Sequence, residues 1–144
     1  MEKYEHLKLQ NQLCFPLYAF SREIIKLYKP FLDPFDLTYT QYITMLVMWE
    51  DEKVNFKDLA KKLHLDSGTL TPVLKKLESK DYISKYRNKE DDRAVTVELT
   101  EKGRNLKEDM MDIPEKLFCS IKSDDDSLWQ LKKQLDALLE NNFK

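Results

Sequence analysis

Apolar residues recur at helical spacing from the start of the chain. Leu13, Leu17, Phe20, Ile24, Leu27 and Phe31 are separated by 4, 3, 4, 3 and 4 positions. That rhythm puts a stripe on one face of a helix, suited to packing against another helix. The helix candidate covers about Leu9 to Leu32. Proline is tolerated in a first turn and damaging deeper in, so Pro16 places the regular start near Leu13, with Cys14 in the first turn. "KPFLDPFD" should end the helix, because Pro30 and Pro34 both oppose continuation. Thr38 is the expected N-cap of a second helix, "YTQYITMLVMWED", which is apolar nearly all round and should be buried.

The pattern then shortens. Phe56, Leu59, Ala60 and Leu63 share one helical face, and "HLD" breaks it. Leu70, Val73, Leu74 and Leu77 share the next, with Asp66 or Ser67 as cap. Two short helices around a tight turn predict a helix-turn-helix. Ile83 to Arg87 can form a strand, and in "AVTVEL" the alternation of Val95, Val97 and Leu99 with Ala94, Thr96 and Glu98 predicts a second. The polar "NKEDD" joins them, which makes a β-hairpin wing. Thr100 should cap a further helix running to about Lys122, with Cys119 near its end. After "SDDDS", Leu128, Leu131, Leu135 and Leu138 repeat at 3, 4 and 3. One small domain cannot cover apolar stripes at both ends of the chain. The expected fold is therefore mainly α with a small β-wing: a winged helix-turn-helix over 37–100, dimerised through helices of 1–36 and 101–144.

Composition narrows the chemistry. The 144 residues suffice for one domain with a core, and 42% apolar with 35% charged residues suits a soluble protein. Only Gly68 and Gly103 are glycines, too few for a phosphate-binding loop. The charged start "MEKYEHLKLQ" does not look like a signal peptide, and no apolar run reaches membrane-spanning length. The expected location is the cytoplasm, where two cysteines are poor candidates for a permanent disulfide. Net charge is −2, yet residues 53–93 hold 11 Lys and Arg against 7 Asp and Glu, while the remainder holds 13 against 19. Positive charge gathers where a DNA-binding element would lie.

On the second helix of the helix-turn-helix, the face away from the leucines carries Ser67, Thr69, Thr71, Pro72, Lys75 and Lys76. Small hydroxyls can approach bases and phosphates in a major groove, and lysines meet the backbone. An ordinary solvated face would have similar composition, but the wing favours DNA. Arg93, with Arg87 and Lys89 nearby, is placed to reach a minor groove.

"DSGTLTPVLKKLESKDYI", "EDDRAVTVELTEKG" and "LTYTQY" resemble the MarR family of winged-helix repressors. "NQLCFPLY" with "DSGTLTP" resembles its organic-hydroperoxide-sensing, thiol-based branch, the OhrR-like repressors and their staphylococcal relatives. The resemblance covers roughly Gln10 to Cys119. It implies a homodimer on pseudo-palindromic double-stranded operator DNA, with one recognition helix in the major groove and one wing in the minor groove per subunit. It also implies that Arg93 enters the minor groove and that Asp91 orients it.

A redox role for Cys14 needs an accessible thiolate, which a helix N-terminus would favour. The plainer alternative is a packed free cysteine. Tyr18 lies one turn from Cys14. Tyr28 lies 14 positions further on, about 21 Å along a continuous helix, so it could serve only the thiol of another subunit. The resemblance implies that arrangement, with Tyr28 and Tyr39 hydrogen-bonding the reactive sulfur across the dimer. It further implies that Cys14 is oxidised by an organic hydroperoxide or related oxidant. Cys119 of the other subunit then resolves it as a disulfide, or a small thiol caps it, and DNA is released.

Three rival readings are weaker. A MarR-type repressor released by a small aromatic ligand could use Phe15, Tyr39, Tyr42 and Trp49, residues that also suit a core. A thiol peroxidase would need an active-site loop, and neither C-x-x-C nor a peroxiredoxin-type Thr-x-x-Cys occurs, so no enzyme activity and no cofactor are expected. A metal sensor would need ligands, yet the histidines are only His6 and His64, at no ligand spacing from a cysteine.

Overall fold

In the computed structural model, the described residues are 3–90 and 93–143. Helix α1 spans Cys14–Leu32, so the regular start falls where Pro16 predicted it. Pro30 lies inside the helix, which runs on to Leu32. In the last turn a proline removes a single hydrogen bond, and the chain leaves the helix two residues later. The Asp33–Phe35 3-10 turn and a left-handed Asp36 (φ 53°) then reverse direction.

Helix α2, Tyr39–Asp51, opens with a capping box. The Gln41 backbone N–H donates to Thr38 Oγ1 (3.3 Å), and the Thr38 N–H donates to Gln41 Oε1 (3.1 Å). Each bond satisfies a backbone or side-chain group that the first turn would leave open. Tyr42, Thr44, Met45 and Met48 are buried, but Leu46 stays 41% exposed, so burial is one-sided rather than all round.

Strand β1, Lys53–Asn55, was not predicted; three residues are too few to show a period. It pairs antiparallel with β3 (Val95–Leu99), which pairs in turn with β2 (Ile83–Arg87), giving the order β1-β3-β2. The hairpin register sets Ile83 against Leu99 and Arg87 against Val95. Between β1 and β2 lie α3, Phe56–Leu63, and α4, Ser67–Ser79. His64 (φ 53°) ends α3, and the Asp66 side chain caps α4. Leu59, Leu70, Leu74, Leu77, Ile83 and Val97 are fully or almost fully buried, and each burial contributes roughly 1.5–3 kcal/mol.

Helix α5, Glu101–Met110, is capped by Thr100 as expected. It does not reach Lys122. A new helix, α6, begins at Ile113 and ends at Ser120, and α7 spans Asp125–Asn142. The break follows from Pro114, which has no N–H for the Met110 carbonyl and whose ring would clash with it. Cys119 is thus on the sixth helix, not the fifth. The chain divides into two compact units, Met1–Met111 and Asp112–Lys144. The winged helix-turn-helix, mainly α with a small β-wing, lies in the first. In the second, Phe118 stacks on Trp129 with ring centroids 5.3 Å apart.

Candidate functional site

Helix α4 is two-faced. Leu70, Val73, Leu74 and Leu77 are buried, while Ser67, Thr69, Thr71, Pro72, Lys75 and Lys76 are exposed. The Asp66 carboxylate accepts from the Thr69 backbone N–H at 2.7 Å. Bonds from Thr69, backbone first, and from Gly68 hold its carboxyl below the ordinary range. The Thr71 hydroxyl donates to the Ser67 carbonyl at 2.7 Å, which fixes its rotamer and leaves its lone pairs for an outside donor. Together these bonds make the start of α4 a rigid, small-residue surface.

The wing stands beside it. The Asn88 N–H donates to the Ala94 carbonyl (2.8 Å) and closes the base of the hairpin. Arg87 at the end of β2 and Arg93 just before β3 are exposed. Asp91, expected to orient Arg93, lies outside the described residues. An open cleft of about 520 Å³ separates the start of α4 from the wing, lined by Asn55, Phe56, Lys57, Ser67 and Arg93 to Val95. Sequence reasoning named Ser67 and Arg93 but missed Asn55 and Lys57. Their readable signal was a lysine in the first turn of a helix, where a cation is disfavoured.

Cys14 is the first residue of α1 and is exposed; no side chain caps the turn. Tyr18, one turn on, is 59% exposed, and the Arg22 guanidinium carbon lies 5.4 Å from its ring centroid. Tyr28 and Tyr39 lie together, with centroids 4.8 Å apart, and Tyr42 joins them at 5.6 Å and 6.4 Å. Burial, and then the neighbouring Tyr39 and Tyr42, push the Tyr28 hydroxyl far above the ordinary tyrosine range. Burial also raises Tyr39. These phenols therefore stay protonated at neutral pH and act as hydrogen-bond donors. Cys119 is a free, exposed thiol on α6. It belongs to the second unit, whereas Cys14 and the tyrosines belong to the first.

The residues of the aromatic-ligand reading are not brought to one cavity among the described residues. Phe15 lines a shallow cleft with Lys8, Leu9 and Gln10; Tyr39 and Tyr42 join Tyr28; the Trp49 indole donates to the Gly103 carbonyl at 2.8 Å. Among the described residues, no group of three or more His, Cys, Asp or Glu could hold a metal ion, and no helix is long and apolar enough to cross a membrane.

Known proteins share this layout. Residues 26–110 match the family model described as transcriptional regulator SarA/Rot. The organic hydroperoxide resistance transcriptional regulator of Bacillus subtilis (strain 168) is 49% identical over 138 residues, 96% of this chain and 94% of that protein. The structure of reduced AbfR, a protein of Staphylococcus epidermidis, bound to DNA superposes with a TM-score of 0.77 at 30% identity, covering 96% of each chain. A disulfide-formed AbfR structure superposes with a TM-score of 0.65 at 31% identity, covering 95% of this chain and 96% of that one.

Proposed function

Because the chain belongs to the SarA/Rot family of transcriptional regulators, of MarR-type winged-helix fold, we propose that it is a homodimeric DNA-binding repressor released from its operator by oxidation of Cys14. It acts by binding in the cytoplasm, not by turnover. Each subunit lays α4 in a major groove and its wing in the adjacent minor groove. Thr69, Thr71 and Pro72 face the bases, while Ser67, Lys75, Lys76 and Arg87 meet phosphates. Arg93, oriented by Asp91, enters the minor groove.

The chemistry begins with the Cys14 thiolate attacking the distal oxygen of an organic hydroperoxide. The sulfur becomes a sulfenic acid, the O–O bond breaks, and the alcohol leaves with a proton. A second thiol then displaces water and forms a disulfide. That thiol is Cys119 of the other subunit, and a small intracellular thiol is the substitute where Cys119 is not used.

The observation that carries this reading is the Tyr28–Tyr39 pair. α1 is continuous from Cys14 to Leu32, so Tyr28 sits about 21 Å along the helix from its own thiol. Two protonated phenols held together at that distance suit the thiol of a partner subunit. They would stabilise its thiolate and register its change to a sulfenic acid. The relatives support the regulatory half: one is named an organic hydroperoxide resistance regulator, and another is solved in reduced DNA-bound and disulfide forms.

Gel shifts with operator DNA and cumene hydroperoxide test the proposal. Wild-type protein should release DNA, and Cys14→Ser should stay bound. Release by the serine variant would sink the reading. Non-reducing mass spectrometry of Cys119→Ser then tells the intersubunit disulfide from a mixed disulfide.

A further inference from the structure

The cleft between the recognition helix and the wing brings Ser67 and Arg93 together with residues that the functional reading leaves unused, Asn55, Phe56 and Lys57. Lys57 is the second residue of α3 and is exposed. It stands beside the positive end of its own helix, where a cation is unfavourable unless an anion is brought to it. The carboxylate next in sequence is already engaged. Asp58 accepts from Asn55 Nδ2 at 3.0 Å, and its backbone N–H is capped by Asn55 Oδ1 at 2.8 Å. Among the described residues Lys57 forms no ion pair. Across the cleft lie Ser67, the first residue of α4, and Arg93 at the foot of the wing, with Phe56 and Val95 forming apolar walls.

Duplex geometry says what must pass there. A major groove and the neighbouring minor groove are divided by a single sugar–phosphate strand. A subunit that puts α4 in one and the wing in the other must straddle that strand, and the strand must run between the start of α4 and the base of the hairpin. We propose that this cleft is the seat of the DNA phosphodiester backbone at that crossing, with Lys57 as its charge contact. The inference rests on the DNA-binding reading above. Lys57 neutralises a phosphate, the Ser67 hydroxyl donates to its oxygens, and Phe56 and Val95 receive the apolar face of the deoxyribose. The contact is blind to sequence: it fixes the spacing between helix and wing on the duplex.

Salt-dependent fluorescence anisotropy tests it, on operator and on random duplex, with wild-type, Lys57→Ala and Lys57→Glu proteins. Counterion release gives a slope of log affinity against log salt of about −0.9 per neutralised phosphate, measured between roughly 50 and 200 mM salt. Lys57→Ala should make the slope shallower by about 0.9 per subunit, or about 1.8 for a dimer. It should weaken both duplexes by the same factor without lowering the melting temperature, and Lys57→Glu should weaken both further. An unchanged slope overturns the seat. So does a loss confined to the operator, which would make Lys57 a base reader. Failure of wild-type protein to bind any duplex would instead remove the functional reading on which the seat depends.

Discussion

At the residue scale, the two glycines have opposite meanings. Gly103 is buried, and its carbonyl accepts the Trp49 indole N–H at 2.8 Å. A Cβ there would stand 2.2 Å from the Tyr82 carbonyl oxygen and 2.9 Å from Leu99 Cδ1. Backbone cannot yield as a side chain tip can, so α5 must back away from β2 and the tryptophan bond loosens. Gly103→Ala should cost about 2 kcal/mol or more, the upper part of the overpacking range. Urea unfolding followed by tryptophan fluorescence measures it, and a loss below about 0.5 kcal/mol would contradict this account. At Gly68 the nearest atom to a Cβ is Asp66 Oδ1 at 3.5 Å, an ordinary contact. Gly68→Ala should therefore leave stability equal or slightly higher, since alanine is the better helix former. Sequence alone could count these glycines but could not tell them apart, because what distinguishes them is a neighbour 21 positions away.

At the element scale, the caps were the legible part. Thr38, Asp66 and Thr100 sit before apolar periodic runs, and all three accept the expected backbone N–H. Local chemistry decides a cap, so local sequence shows it. The tyrosine pair was legible only through resemblance, and the cleft not at all, since its walls come from α3, α4 and β3. The helix end that was misread lies before Pro114, where one expected helix to Lys122 divides into α5 and α6. The Asp66 cap carries a pH dependence whose sign is fixed. Its folded pKa is depressed, chiefly by the Thr69 backbone bond. The bond's stabilising contribution is therefore present above the unfolded value, about 3.9, and is lost as pH falls through the lower folded one. Asp66→Asn keeps an acceptor oxygen but removes the titration. Melting temperatures from neutral pH to about pH 3 should show the gap between wild type and Asp66→Asn narrowing toward acid. A gap constant across that window would mean that the charge does not contribute.

At the scale of the whole molecule, the α1 stripe changes character along its length. Leu13, Leu17 and Phe20 are 79%, 43% and 45% exposed, whereas Ile24, Leu27 and Phe31 are half-buried. The later half packs within its own chain, against α2 and the turn before it. The earlier half, which carries Cys14, is left to water. Helix α7 shows the same trend, with Leu128, Leu131 and Leu135 half-buried and Leu138 56% exposed. Faces of this kind mark interaction surfaces, and a second copy offers an identical one. The Cys14 thiol would then sit on the dimer surface, where its own Tyr28 cannot reach it and a partner's could. Leu17→Glu, which sets a carboxylate on the open half of the stripe, should convert the protein to a monomer. Sedimentation equilibrium reads the mass, and circular dichroism should show the helices retained. The same variant should lose affinity for a two-half-site operator while still binding a single half-site weakly, because each winged helix is complete in one chain. A Leu17→Glu protein that remains dimeric would move the interface off α1 and separate the thiol from it.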